Sequence, residues 1–138
     1  MTAVFDTNVI VDILAFRKEF YDVSFNSLSL CDGIALRSFI TSNTVTDIAY
    51  ILHRYGQDKE SIKDTLSKLF SITDILDVNS EDCKKALKST ISDFEDAVLA
   101  ECAYRHNADF IVTRNPKDYR YSAVPCIVPL DFIARFKA

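Results

Sequence analysis

Four aspartates in this chain sit where carboxylates could do chemistry. Asp6 closes the apolar run Ala3-Val4-Phe5. Asp47 lies in Thr44-Val45-Thr46-Asp47-Ile48-Ala49, Asp96 in Ser92-Asp93-Phe94-Glu95-Asp96-Ala97, and Asp118 follows Thr113-Arg114-Asn115-Pro116-Lys117. Carboxylates brought within several ångströms of one another repel and raise each other's pKa values. A hard divalent cation removes that penalty. Mg²⁺ or Mn²⁺ takes oxygen ligands, is often held by one or two carboxylates, and keeps waters and substrate phosphate oxygens in its remaining positions. Such an ion neutralises a phosphodiester and turns a bound water into a nucleophile near neutral pH. No serine, histidine or cysteine constellation offers a rival nucleophile. His53 and His106 do not fall at ligand spacing with Cys31, Cys83, Cys102 or Cys126, and there is no CxxC pair, so neither a zinc site nor a disulfide framework is expected.

Each acid also has an ordinary structural reading. Asp6 is equally well placed to cap a helix beginning at Thr7 or Asn8. Thr44 through Asp47 can be read as a capping box, the alternative to an inward-facing Asp47. In Ser92-Asp93-Phe94-Glu95 the same pattern makes Ser92 the cap and Glu95 its reciprocal partner, with Asp93 in a first turn where the helix dipole favours an anion. That leaves Asp96 on an otherwise apolar helix, where a carboxylate without a partner is costly. Asp93, three residues earlier, can assist it. Asn115-Pro116 reads as a simple turn, but the segment also brings an amide oxygen, Asp118 and the cations Arg114, Lys117 and Arg120, suited to flanking phosphates. Asp12 lies opposite Val9, Ile10, Ile13 and Leu14 and is expected on a solvated helix face. The other acids, such as Asp58, Glu60, Asp64, Glu81 and Asp82, read as helix-surface or helix-start charges.

The elements that must position these residues alternate. Strands are expected at Ala3–Phe5, Ile34–Ile40, Ile72–Val78, Asp109–Thr113 and Cys126–Val128. Helices are expected at about Asn8–Leu14, Glu19–Cys31, Thr44–Tyr55, Lys59–Phe70, Glu81–Lys88 and Ser92–Arg105, with one more at the C-terminus. Alternation of this kind implies an α/β fold, a parallel sheet covered on both faces, with ligands outside the carboxyl ends of the strands.

The 138 residues are one domain's worth, with no linker, repeat or low-complexity run. They are 49% hydrophobic and 26% charged with only 2 Gly and 3 Pro, which excludes a disordered or collagenous chain. A net charge of −4 argues against a protein that coats nucleic acid by bulk charge. No stretch is long and apolar enough for a membrane span, and Asp6 and Asp12 interrupt the N-terminus too early for a signal peptide. The four cysteines are expected as buried small hydrophobes in a reducing cytoplasm.

Four segments taken in order, Val4-Phe5-Asp6-Thr7-Asn8-Val9-Ile10-Val11-Asp12, Ser42-Asn43-Thr44-Val45-Thr46-Asp47, Asp93-Phe94-Glu95-Asp96-Ala97 and Val112-Thr113-Arg114-Asn115-Pro116-Lys117-Asp118-Tyr119, resemble the ordered motifs of a PIN domain. The resemblance spans essentially the whole chain, residues 1–138. It implies a three-layer α/β/α sandwich around a mostly parallel sheet of five strands, and Mg²⁺- or Mn²⁺-dependent ribonuclease activity. Catalysis would fall to Asp6, Asp47, Asp96 and Asp118, with Asp6, Asp96, Asn115 and Asp118 as metal ligands. Thr7, Asn8, Asp93 and Thr113 would support them. Two positions depart from the family pattern: Asp47 stands where the second motif usually carries Glu, and Asn115 where many members have Asp. Many short single-domain members are VapC-type toxins held inactive by a small antitoxin, which implies an RNA substrate, an antitoxin partner, a homodimer and no membrane.

Other acid-rich α/β readings fit less well. A haloacid-dehalogenase-like phosphatase needs a second Asp two residues after the first, and position 8 is Asn. A receiver domain would show adjacent acids at its first strand, and Thr7 follows Asp6. The competitor from another class is a PIN-like module without catalysis that binds RNA or protein. A requirement for a divalent ion separates the two.

Overall fold

Five short runs rich in β-branched and aromatic residues form strands in the computed structural model, which describes residues 1–137; Ala138, the end of the expected domain, lies outside them. The strands are β1 (Thr2–Phe5), β2 (Arg37–Thr41), β3 (Asp74–Leu76), β4 (Phe110–Val112) and β5 (Cys126–Ile127), in the order β3-β2-β1-β4-β5. Every pairing is parallel, with Val4 opposite Phe39 on one side and Ile111 on the other. Between and after them run α1 (Thr7–Leu14), α2 (Tyr21–Ser29), α3 (Ser42–Arg54), α4 (Lys59–Phe70), α5 (Ser80–Leu87), α6 (Phe94–Arg105) and α7 (Pro129–Phe136), with a single-turn 3-10 helix at Pro116–Tyr119.

The period-2 alternation of the strands splits the core into two layers. Ala3, Phe5, Ile40 and Val112 face one way and pack with Ile48, Leu52 and Phe132 of the covering helices. Val4, Phe39 and Ile111 face the other way and pack with Ala97, Cys102 and Ala103 of α6. The sheet is thus buried on both faces, the arrangement expected for an all-parallel sheet.

Some element ends differ from the sequence reading. The second strand begins at Arg37 rather than Ile34, because the Asp32 carboxylate accepts from the amides of Ile34 and Leu36 and Gly33 adopts φ +79, so the chain turns first. Helix α6 begins at Phe94 with Asp93, not Ser92, as its N-cap: Asp93 Oδ1 accepts from the Asp96 amide at 3.0 Å. Helix α3 begins at Ser42, so Thr44 is not a cap and no capping box forms there. The cysteines are unpaired, but only Cys102 is buried as expected: Cys31 and Cys126 are half-buried and Cys83 is exposed. Burial pushes the thiols of Cys31 and Cys102 up to about 12 and that of Cys126 to about 11, which keeps them protonated and unreactive at neutral pH. Among the described residues, no helix is long and apolar enough to cross a membrane.

Candidate active site

The strand order reverses at the centre of the sheet: the chain steps from β1 to β2 on one side, and β4 adds on the other. Such a switch point opens a crevice at the carboxyl ends of the two central strands. Asp6 follows β1 and Thr113 follows β4, so both arrive at this crevice. Asp6 occupies the N-cap position of α1 but makes no side-chain cap bond. Its Oδ2 instead accepts from the Thr113 hydroxyl at 2.9 Å. At 7% exposure Asp6 is buried, and that burial raises its pKa against the lowering pull of the Thr113 hydrogen bond.

Around Asp6 opens a cavity of about 320 Å³ whose walls include Asp47, Glu95 and Asp96. Asp47 comes from the second turn of α3, and burial raises its pKa. Asp96 comes from the first turn of α6, and its pKa is pushed up to about 7 by burial first and then by the charge of Asp6. Asp118, on the 3-10 turn, adds to the charge raising both Asp6 and Asp96. Asp6, Asp47 and Asp96 thus come together at one wall, with Asp118 close by. Asn8 and Thr7 also line the cavity, and the Thr7 hydroxyl pairs with that of Thr44 at 3.0 Å, tying α1 to α3.

Two residues here escaped the sequence reading. Glu95, read as a capping partner of Ser92, instead lines the cavity, and its pKa is raised first by the charge of Asp47 and then by burial. Its role was hidden because Asp93-x-x-Asp96 and Ser92-x-x-Glu95 are equally good cap patterns one residue apart, and only the helix start chooses between them. Tyr119 is 2% exposed and donates from its hydroxyl to Asp96 Oδ1 at 3.0 Å. Burial, then the charges of Asp6 and Asp96, raise the phenol's pKa, so it remains a donor. A buried tyrosine needs a partner for its hydroxyl, but the sequence does not say which.

Other expected residues go elsewhere. Arg114 does not face the cavity as a free phosphate ligand: its Nε donates to Asp12 Oδ2 at 2.7 Å, Nη2 to Oδ1 at 3.2 Å, and its guanidinium lies 3.8 Å over the Phe20 ring. Asp12, expected on a solvated face, is 0% exposed and also accepts from Arg17 and the Ser24 hydroxyl. Its partners lie 5 to 102 residues away, beyond any helical-wheel argument. Asn115 lines a neighbouring apolar cleft with Phe20, Val23 and Leu130, not the acidic cavity. Asp93 supports Asp96 through the cap described above. Lys117 and Arg120 are exposed and have no ion-pair partner among the described residues.

The donor set is all oxygen, as a hard cation requires. Among the described residues, no three Asp, Glu, His or Cys side chains converge tightly enough to enclose an ion by themselves. A divalent ion there would be held by one or two of these carboxylates and keep waters in its other positions. The raised pKa values of Asp6, Asp47, Glu95 and Asp96 express the same demand for positive charge.

A sequence profile of the PIN domain matches residues 2–117, and the chain belongs to that family of nucleases, which generally depend on divalent cations. Solved structures with the same fold include VapBC2 from Rickettsia felis bound to a DNA fragment from its promoter. It is 22% identical with a TM-score of 0.72, over 93% of this chain and 98% of that one. A toxin–antitoxin complex from Klebsiella pneumoniae is 18% identical with a TM-score of 0.67, over 92% and 97%. FitAcB from Neisseria gonorrhoeae is 15% identical with a TM-score of 0.68, over 93% and 98%. At such identities the likeness speaks for the fold. Among curated protein sequences none matches significantly.

Proposed function

We propose that this chain, as a single PIN domain over residues 1–138, is an Mg²⁺- or Mn²⁺-dependent endoribonuclease and the toxin of a toxin–antitoxin pair. The observation that carries the reading is the meeting of Asp6, Asp47, Glu95 and Asp96 on one cavity at the switch point of a parallel sheet. Asp6 and Asp96 are the residues that would hold the ion, with Asp118 near enough for its charge to act on both. Asp47 and Glu95 extend the acidic wall, and Asn115, facing the neighbouring cleft, stays outside the set. When bound, the ion supplies charge neutralisation at the scissile phosphate and a water acidic enough to attack near neutral pH. The chain supplies orientation: Thr113 aims Asp6, and Tyr119 ties up one oxygen of Asp96 and leaves the other free. Lys117 and Arg120, exposed and without an ion-pair partner among the described residues, would hold flanking phosphates.

The antitoxin partner is supported by the fold shared with toxin–antitoxin complexes. Unpaired cysteines accord with a cytoplasmic setting, and a symmetric homodimer is the commonest oligomer open to such a chain. The deciding experiment is cleavage of a labelled RNA with Mn²⁺ or Mg²⁺. Wild type is expected to cut; EDTA and Asp96→Asn should each abolish cutting. Activity surviving both would overturn the assignment, and a wild type that neither cuts nor binds the ion would mark an inert binding module.

A further inference from the structure

Among the described residues, no lysine or arginine lines the acidic cavity, yet a polyanion must lie across it. Arg114 is committed to Asp12, and Arg17 is shared between Asp12, Asn8 and the Tyr55 hydroxyl. The exposed face of α3 supplies what is missing. Asp47, Tyr50 and Arg54 follow one another at i, i+3 and i+7, along one side of the helix. Tyr50 lines the same cavity as Asp47 and is 60% exposed, a large aromatic surface in water beside a charged site. Arg54 donates from Nη1 to the Tyr50 hydroxyl at 3.0 Å, with its guanidinium 5.9 Å from the ring centroid. Arg54 is exposed and has no carboxylate partner among the described residues. It stands about 10 Å along the helix axis from Asp47.

From this arrangement we infer that Tyr50 and Arg54 form a nucleotide subsite on single-stranded RNA next to the cleaved bond, the Tyr50 ring stacking the base and Arg54 binding the following phosphate. The inference rests on the ribonuclease reading and deepens it. Unpaired bases are the part of RNA that an exposed aromatic can stack, and such stacking tolerates different bases because each has a π-face. The hydrogen bond from Arg54 fixes the tilt of the ring and brings a cation to the edge where the backbone must pass. Lys117 on the 3-10 turn and Arg120 just after it are further exposed cations that a bound strand could meet.

The test is fluorescence anisotropy of a labelled single-stranded RNA with the intact protein in EDTA, which prevents cutting. Tyr50→Ala should weaken binding roughly tenfold, the size of one lost base–aromatic stack. Tyr50→Phe keeps the ring and should retain most of the affinity. Arg54→Gln should weaken binding and lower the salt dependence by about one phosphate contact. An abasic nucleotide walked along the RNA should, at one position, cost wild type what Tyr50→Ala costs and cost Tyr50→Ala nothing further. Wild-type binding that Tyr50→Ala leaves unchanged would overturn the subsite alone, as would an abasic scan with no such position. A wild type that binds single-stranded DNA but no RNA would overturn the ribonuclease reading beneath it.

Discussion

Asp96 carries two opposed demands. Burial and the charge of Asp6 hold its pKa near 7, so the ion-free protein keeps a proton there that the unfolded chain, with an ordinary aspartate, loses near 4. Between those values the native state binds more protons than the unfolded state, so this site's contribution to stability falls as pH rises from about 4 to about 7 and is level above. Asp6, Asp47 and Glu95 shift in the same direction and add to the trend. Thermal melting of wild type minus that of Asp96→Asn should therefore decline across this window without divalent ion. Added Mn²⁺ should reverse the sign for wild type, because ion binding requires the carboxylates ionised and favours the folded state. Cleavage should rise through the same range. A pH-independent difference between the two proteins would remove the argument that these acids are held against their charge.

At the scale of elements, the site depends on two attachments that look peripheral. The start of α6 is set by Asp93, whose carboxylate caps the Asp96 amide, so Asp93→Ala should cost about 1 kcal/mol of stability, measured by urea unfolding. It should also weaken Mn²⁺ binding, because it frees the turn that aims Asp96 and Glu95. The segment after β4 is anchored by Arg114 on the fully buried Asp12, joining that loop to α1 and, through Ser24, to α2. Arg114→Gln leaves Asp12 with only Arg17 as a cation. A destabilisation of about 3 kcal/mol is expected, at the low end for a broken buried pair because Arg17 remains. An Arg114 that instead served as a phosphate ligand would, when replaced, lower the salt slope of RNA binding and spare stability.

For the whole molecule, the parallel sheet explains why acids distant in sequence meet. Phe132 of α7 is fully buried and packs edge-on against Phe5, the residue before Asp6, with ring centroids 5.9 Å apart. Phe132→Ala should cost about 3–5 kcal/mol and lower the melting temperature without changing which ion is bound. Charge also reads differently at this scale. Setting aside Asp6, Asp47, Asp96 and Asp118, the chain's 16 basic residues are matched by 16 acidic ones, so an overall −4 is compatible with RNA approaching a cation-loaded site.

The amino-acid sequence alone determined the alternation of strands and helices, the parallel sheet, and the placing of Asp6, Asp47 and Asp96 at the starts of helices or ends of strands. Those features follow from local periodicity and turn chemistry, which a linear chain carries within itself. The bounds of the amphipathic helix Lys59–Phe70 were legible to the residue, and the structure adds the side chain of Asp58 as its cap. Tertiary structure decided what depends on partners far along the chain. It drew Arg114 away to Asp12, turned Asn115 into a different cleft, brought Tyr119 onto Asp96, and shifted the α6 start so that Glu95 joined the acids. A buried charge or hydroxyl must find a partner wherever the fold supplies one, and no local pattern names that partner in advance.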